Sequence, residues 1–339
     1  MKWLLFFLIC LGLGYPTLNR YDPRNTGGLS DTTTYYELAT QGPAHADPQL
    51  KYRLLIPELS RPIANAARGH IGTWDPVFFG FLVVNSVFTA STAYLLMIVG
   101  RRFTRNEATA LLAAAIYLLN FEVSNIRLSG MVDSAEGFCL MAIVWTLLTG
   151  RTALLAFWAI LGTLSRETFV PLVIAFTAAW EMRDQGRSTN GGLILDKSMW
   201  SPAPVVKAAF LVPSAAALLT ITALQSAVSG HLMLPWQFAA DLHPAGGHLE
   251  ALYRNVIDQN LLYVIIWLLP LGLPRLKNLP KPWLAACAAA TLADFALVTW
   301  HSSVPGAAAR PLFSIAGPLL SLSAAIYLSG ETGSERKHA

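Results

Sequence analysis

Three arginines stand at the ends of long apolar runs: Arg127, Arg166 and Arg310. A fourth, Arg254, lies in a polar stretch, and no lysine shares this set. A guanidinium is a rigid fork of donors that grips phosphate oxygens two at a time and is less strongly hydrated than an ammonium. Arginines gathered at one membrane depth therefore suit a lipid phosphate or pyrophosphate. Taken singly, each also has a plainer use, reaching up to the headgroups while its stem lies along apolar neighbours. That reading fits Arg254 best. It fits less well Arg166, locked between two apolar segments, and Arg310, which opens the last one, because ionisable residues at membrane depth are functional candidates.

The carboxylates divide in the same way. Asp31, in the polar and aromatic stretch Gly27-Gly28-Leu29-Ser30-Asp31-Thr32-Thr33-Thr34-Tyr35-Tyr36-Glu37-Leu38, has two jobs open to it. It can cap a helix running through Ala39 and stopped by Gly42, or it can take a proton in a reaction. Asp133 and Glu136 have the spacing of a capping box, an acid at the N-cap and another three residues on. Their other reading is a carboxylate that holds Arg127 or Arg166, or that binds a sugar hydroxyl. Glu167 is a natural ion-pair partner for its neighbour Arg166, since an unpaired charge there is costly. Asp294 lies inside an apolar segment and is expected to face the interior of a helix bundle.

Six of the seven histidines, His45, His70, His231, His243, His248 and His301, fall in or beside the stretches that carry these groups. His243 and His248 have no zinc-ligand spacing and read as part of a solvated loop. His301 follows Trp300 at a segment end, within reach of a substrate. No G-x-S-x-G nucleophile motif and no H-E-x-x-H zinc motif occurs. The residues call for no cofactor and leave a divalent metal open.

The elements that position these groups follow from composition. The chain has 339 residues, of which 54% are hydrophobic and only 13% charged. A soluble domain carries about 25% charged residues, so the pattern is that of an all-α, polytopic membrane protein. Apolar segments fall at 3–18, 77–100, 107–121, 136–150, 152–165, 168–181, 207–229, 258–274, 282–300 and 311–329. That predicts about ten transmembrane helices, several shorter than the roughly 20 residues that a full crossing needs. The first is expected to stay attached, because no small-x-small cleavage site follows it. Cys10, Cys139 and Cys287 all lie in apolar blocks and form no disulfide framework.

Ten crossings leave both termini on one side. Fourteen basic residues then share that side, among them Arg101, Arg102, Arg105, Arg275, Lys277 and Lys281. Only Arg127, Arg166, Arg254 and Arg310 lie opposite, beyond the six in the first long loop. The positive-inside rule places both termini in the cytoplasm. Treating 152–181 as one span would reverse the second half of that assignment, so a hairpin with Arg166-Glu167 at its outer tip is preferred. The net charge of +4 is spent on topology and implies no nucleic acid. Two outer loops are long, 19–76 and 230–257, with 182–206 as a cytoplasmic connector. In the first loop, Leu55, Ile56, Leu59 and Ile63 recur at helical spacing. They predict an amphipathic helix on the outer membrane surface, opened by Pro57 and kinked or split by Pro62.

This pattern resembles the GT-C class of integral membrane glycosyltransferases, relatives of the protein O-mannosyltransferases and the aminoarabinose transferases. The similarity rests on a first span followed by a long outer loop with an acid before a tyrosine (Asp31 to Tyr35-Tyr36). It also rests on a juxtamembrane helix after Tyr52-Arg53, and on the segments Leu164-Ser165-Arg166-Glu167-Thr168 and Ala309-Arg310-Pro311-Leu312. The sequence departs from better-known members in having one acid at Asp31 where many pair two, and in lacking a large outer domain.

The resemblance implies inverting transfer of a sugar from a polyprenyl-phosphate donor, in a cell inner membrane and on its outer face. Asp31 would act as base, Arg166 and Arg310 would bind the donor phosphate, and Arg53 would orient the headgroup. Tyr35, Arg127, Asp133, Glu167 and His301 would complete the substrate site. A transporter or flippase for lipid-linked sugars would share the arginines without needing Asp31, and a non-catalytic membrane partner would need neither.

Overall fold

In a computed structural model of the chain, residues 1–20, 30–185, 206–237, 247–257, 259–301 and 308–330 are described. They form helices joined by turns, and no strand occurs among them. Pro16 interrupts the first apolar run, which gives α1 (Lys2–Gly14) and a short α2 (Thr17–Arg20). Two further helices follow, α3 (Ser30–Thr40) and α4 (Leu55–Ala67). The helix α5 (Pro76–Thr104) opens with Pro76 at its first position, and the Asp75 carboxylate accepts from the amides of Val77 and Phe78. Asn106 caps α6 (Glu107–Leu118) in the same way.

A π-helical turn, Val123–Arg127, follows α6. Then come α7 (Asp133–Thr149), α8 (Leu154–Ser165), α9 (Phe169–Gln185) and α10 (Val206–Ser229). Next in the chain is α11 (His248–Ile257).

Two expectations about continuity change. The segment 258–274 is not one helix. It breaks into α12 (Gln259–Ile265), α13 (Leu268–Gly272) and a 3₁₀ stretch, Leu273–Asn278. Pro270 and Pro274 have no amide to donate and Gly272 sits between them, so a continuous ladder of hydrogen bonds cannot form. In α4 the opposite occurs, for the helix runs through Pro62 without splitting. Glu58, whose carbonyl loses its partner there, is exposed, as is Pro62, so water can satisfy that carbonyl. The chain ends in α14 (Lys281–His301) and α15 (Ala309–Leu328).

Among the described residues, five stretches are long and apolar enough to cross a membrane: Lys2–Asn19, Pro76–Thr104, Ala209–Ser229, Lys281–Trp300 and Ala309–Leu328. Two helices organise the bundle. On one side α5 packs against α1, α4, α6 and α7, and in the middle α15 packs against α6, α7, α13 and α14. A third group joins α8 and α9 to α10, with α14 against α9. The apolar face of α4 is covered by α5 rather than left to lipid: Ile56, Pro57, Ser60 and Ala64 are buried, and Gly80 of α5 lets the Ser60 backbone approach. Leu4, Leu5, Leu8, Phe157, Leu219 and Leu292 remain exposed and apolar on α1, α8, α10 and α14, as lipid-facing surface would be.

Candidate functional site

The first piece of the site is an anchored α3. It begins at Ser30, so Asp31 lies inside its first turn rather than at the N-cap that the sequence suggests, and it ends before Gly42, whose φ of +86° suits glycine. Three side chains fix it. Tyr36 donates to Asp75 at 3.0 Å. Arg61 of α4 donates to the terminal carbonyls of Leu38 and Ala39 at 2.7 and 2.8 Å. Tyr35, fully buried, accepts from Arg53 Nη1 at 2.8 Å.

Arg53 in turn makes a forked contact with Glu167, Nε to Oε2 at 2.9 Å and Nη2 to Oε1 at 2.5 Å. Burial alone would push the Glu167 carboxyl up, but the facing Arg53 guanidinium holds it below the usual glutamate range. Arg53 therefore points inward as a strut between α3 and the α8–α9 turn. Glu167 pairs with Arg53 rather than with its neighbour Arg166.

Asp31 lies in the first turn of α3 and reaches the start of α15. Its Oδ2 accepts from Arg310 Nη1 at 2.9 Å. The same Arg310 nitrogen is 4.0 Å from Asp133 Oδ2. Asp133 Oδ1 accepts from Arg166 Nη1 at 2.7 Å, and Glu136 Oε2 is 3.7 Å from that nitrogen. The capping-box reading of this pair does not hold. Here α7 starts at Asp133 itself, and its N-cap, Val132, makes no side-chain cap bond. The physical reason is that residues three apart share one helix face. Both carboxylates turn to Arg166, which sits in extended backbone at the end of α8.

Arg127 is fully buried. It donates to the Asp133 carbonyl at 3.1 Å and to Ser314 Oγ at 2.6 Å, and it lies 5.0 Å over the Phe313 ring. Gly137 leaves it room, because a Cβ there would collide with the guanidinium. Ser314 also lies 3.3 Å from Glu136 Oε2.

Glu122 is a residue that the sequence does not single out. Its Oε1 is 3.9 Å from Arg127 Nε, and both its oxygens are buried without a hydrogen-bond partner. Burial pushes its carboxyl up to about 8, only partly offset by Arg127.

The result is one connected ladder, from Asp31 through Arg310, Asp133, Arg166, Glu136 and Ser314 to Arg127 and Glu122, with Arg53, Glu167 and Tyr35 alongside. Four guanidiniums face five carboxylates, and each guanidinium has an acid within 4.0 Å. Only the outermost rung is open: the Arg310 and Asp31 side chains are 21% and 24% exposed, against 9% or less for the other paired groups. Asp294 is buried as expected, and Arg166 and Glu136 are charged groups that act on it electrostatically. The acids and arginines singled out in the sequence thus converge.

Other candidates stand apart. Arg254 pairs with Glu250 on the exposed face of α11. His248 stacks on Trp300 with ring centroids 4.5 Å apart. His243 and the side chain of His301 lie outside the described residues. Among the described residues, no group of three or more His, Cys, Asp or Glu is placed to hold a metal. A cavity of about 310 Å³ lies between the C-terminal end of α3 and α4, lined in part by Arg61, Asn65 and Arg68. It contains no member of the ladder, and Arg61 there already spends donors on the α3 carbonyls. Neither a protein-family model nor a curated protein matches this sequence.

Proposed function

We propose that the chain is a GT-C-like membrane glycosyltransferase with about ten crossings and both termini in the cytoplasm. It moves a sugar from a polyprenyl-phosphate donor to an acceptor hydroxyl on the outer face. The observation that carries this reading is the single open rung, a carboxylate and a guanidinium at 2.9 Å on a ladder that is otherwise buried.

The chemistry needs little more. The acceptor oxygen attacks the anomeric carbon and Asp31 takes its proton as general base. The bond from that carbon to the phosphate oxygen breaks, and the electron pair leaves on a phosphate that is stable as an anion. No general acid is required. Attack from the side opposite the phosphate inverts the anomeric centre. Arg310 meets the phosphate directly and stabilises the charge that builds on it. Arg166, deeper and held by Asp133 and Glu136, supports that field from behind. Arg127, Asp133 and Glu167 serve as the frame, while Tyr35 and Arg53 set the angle of the helix that carries Asp31.

The deciding experiment follows label from a polyprenyl-phosphate sugar to an acceptor, using purified chain in lipid nanodiscs. Wild type should transfer, and folded Asp31→Asn should transfer at least 100-fold more slowly. Equal rates would remove Asp31 as the base. Donor that crosses the bilayer uncleaved would favour the transporter reading instead.

A further inference from the structure

We infer that the cavity between the end of α3 and α4 is a second phosphate site, which holds the headgroup of an anionic phospholipid. Its wall shares no residue with the ladder, so the site goes beyond the glycosyl-transfer reading and does not depend on it.

The cavity measures about 310 Å³, and its wall includes Thr40, Arg61, Ala64, Asn65, Arg68 and Val77. That is the small end of the roughly 300–1,000 Å³ of ligand pockets, so it suits a headgroup and not a whole lipid. Arg61, Asn65 and Arg68 follow one another at i, i+4 and i+7 along α4 and its C-cap, which puts them on one face. Thr40 ends α3, about 14 Å along the helix axis from Asp31.

The two guanidiniums differ in what they already hold. Arg61 donates through Nε to the Ala39 carbonyl at 2.8 Å, through Nη2 to the Leu38 carbonyl at 2.7 Å and through Nη1 to Glu58 at 2.8 Å. A guanidinium has more N–H donors than these bonds use, so Arg61 can meet an anion without releasing α3. Arg68 is exposed, and among the described residues no hydrogen bond or ion pair occupies its guanidinium. Asn65, between them, offers an amide to a headgroup hydroxyl. Two acids close by in the chain are committed elsewhere, Glu58 to Arg61 and Asp75 to Tyr36 and the first amides of α5. Among the described residues, no carboxylate joins the wall.

Two guanidiniums and an amide around one small cavity match a phosphate, whose oxygens accept forked pairs of donors. The depth of the cavity selects the source of that phosphate. Val77 is the second residue of α5, a helix long and apolar enough to cross a membrane. Trp74, just before it, meets Tyr15 at the end of α1 edge to face, with ring centroids 5.4 Å apart. Such rings gather where lipid headgroups meet water. A cavity at the mouth of a span is therefore bathed in lipid phosphates. Because Arg61 is both wall and anchor, a bound headgroup braces α3 from the end away from the ladder.

The test titrates the full-length chain in a non-ionic detergent with short-chain phosphatidylglycerol. Inorganic phosphate and glycerol 3-phosphate are the soluble arms. Wild type should bind the lipid, and Arg68→Gln should bind it about tenfold more weakly, the loss of one charge-assisted contact. Asn65→Trp keeps both arginines but fills the cavity, and should weaken binding as well. Arg254→Gln removes an equal charge from α11 and should bind as wild type does. No binding by wild type, undiminished binding in Arg68→Gln or Asn65→Trp, or equal weakening in Arg254→Gln overturns the site. Soluble phosphates that bind as tightly as the lipid overturn its assignment to a headgroup.

A second readout needs no variant. Phenylglyoxal labels accessible guanidiniums, and peptide mass mapping should show Arg68 shielded once phosphatidylglycerol is bound, with Arg254 labelled as before. Unchanged labelling of Arg68 overturns the site. Neither measurement uses a sugar. A chain that binds the lipid but transfers nothing keeps this site and loses the glycosyltransferase reading, and the reverse result loses only the site.

Discussion

Asp31 and Arg310 lie 279 positions apart in the chain and meet at 2.9 Å. The contact joins the first turn of α3 to the first turn of α15, a helix at the middle of the bundle. It is the place where a ladder of buried charge reaches the surface, and the expected behaviour of several variants follows from that position.

Arg310→Ala and Arg310→Lys should separate charge from geometry. The alanine variant loses the charge facing the phosphate and is expected to lower kcat of sugar transfer by roughly 100- to 1000-fold. Lysine restores the charge but not the fork, so it should recover only part of that loss. Full recovery by lysine in a steady-state assay would show that the fork is not used.

The Arg53–Glu167 pair should behave as a buried strut. Arg53→Ala leaves Glu167 charged and enclosed, at an expected cost of about 3–5 kcal/mol. Removing both charges together, as Arg53→Met with Glu167→Leu, should recover most of it. Because the facing guanidinium depresses the Glu167 carboxyl, the pair's contribution is present above the ordinary glutamate value. It is lost as the pH falls through the depressed one. Denaturant titration of the three proteins in detergent at neutral and acid pH checks both statements.

Glu122 predicts a pH dependence of the opposite sign. Its carboxyl is raised from 4.5 to about 8, so the folded chain holds a proton there that the unfolded chain has already released. The stabilisation is complete below the unfolded value and is lost progressively as pH rises toward 8, a change on the order of a few kcal/mol. Thermal unfolding should therefore show a Tm that falls between pH 5 and about pH 8. Glu122→Gln should flatten that slope and be the more stable protein at pH 8 and above. An unchanged slope in the glutamine variant would place the titration elsewhere.

Gly80→Ala tests the seat of α4. A Cβ at that position would lie 2.7 Å from the Ser60 carbonyl oxygen, and backbone cannot swing aside as a side-chain tip can. The expected cost is about 1–3 kcal/mol, with faster proteolysis of the first outer loop. Since Arg53 stands two residues before α4, sugar transfer should fall as well.

Many helices were legible in the sequence because apolar periodicity reports burial directly, and α3 was legible from Asp31 and Gly42, although Asp31 lies in its first turn and not at its cap. The partners were not. The spacing of Asp133 and Glu136 fits a capping box and a shared helix face equally well, and only the position of Arg166 decides between them. Glu122 was hidden for a different reason. Residues five apart are not neighbours on an α-helix, so nothing in the spacing ties it to Arg127. The π-helical turn Val123–Arg127 is what brings the two together. Arg53 looked like an open phosphate ligand because its burial depends on Glu167, 114 positions away.

That same turn makes the chain unusually sensitive to length at one place. A π turn is one residue longer than the α turn it replaces, and each helical residue rotates the chain by about 100°. Deleting Ser124 alone would restore ordinary α geometry and swing Arg127 away from Ser314 and Glu122. An insertion at Gly69 or Gly72 of the first outer loop would be absorbed by a turn. Within residues 123–127, the frame of the ladder is counted in single residues.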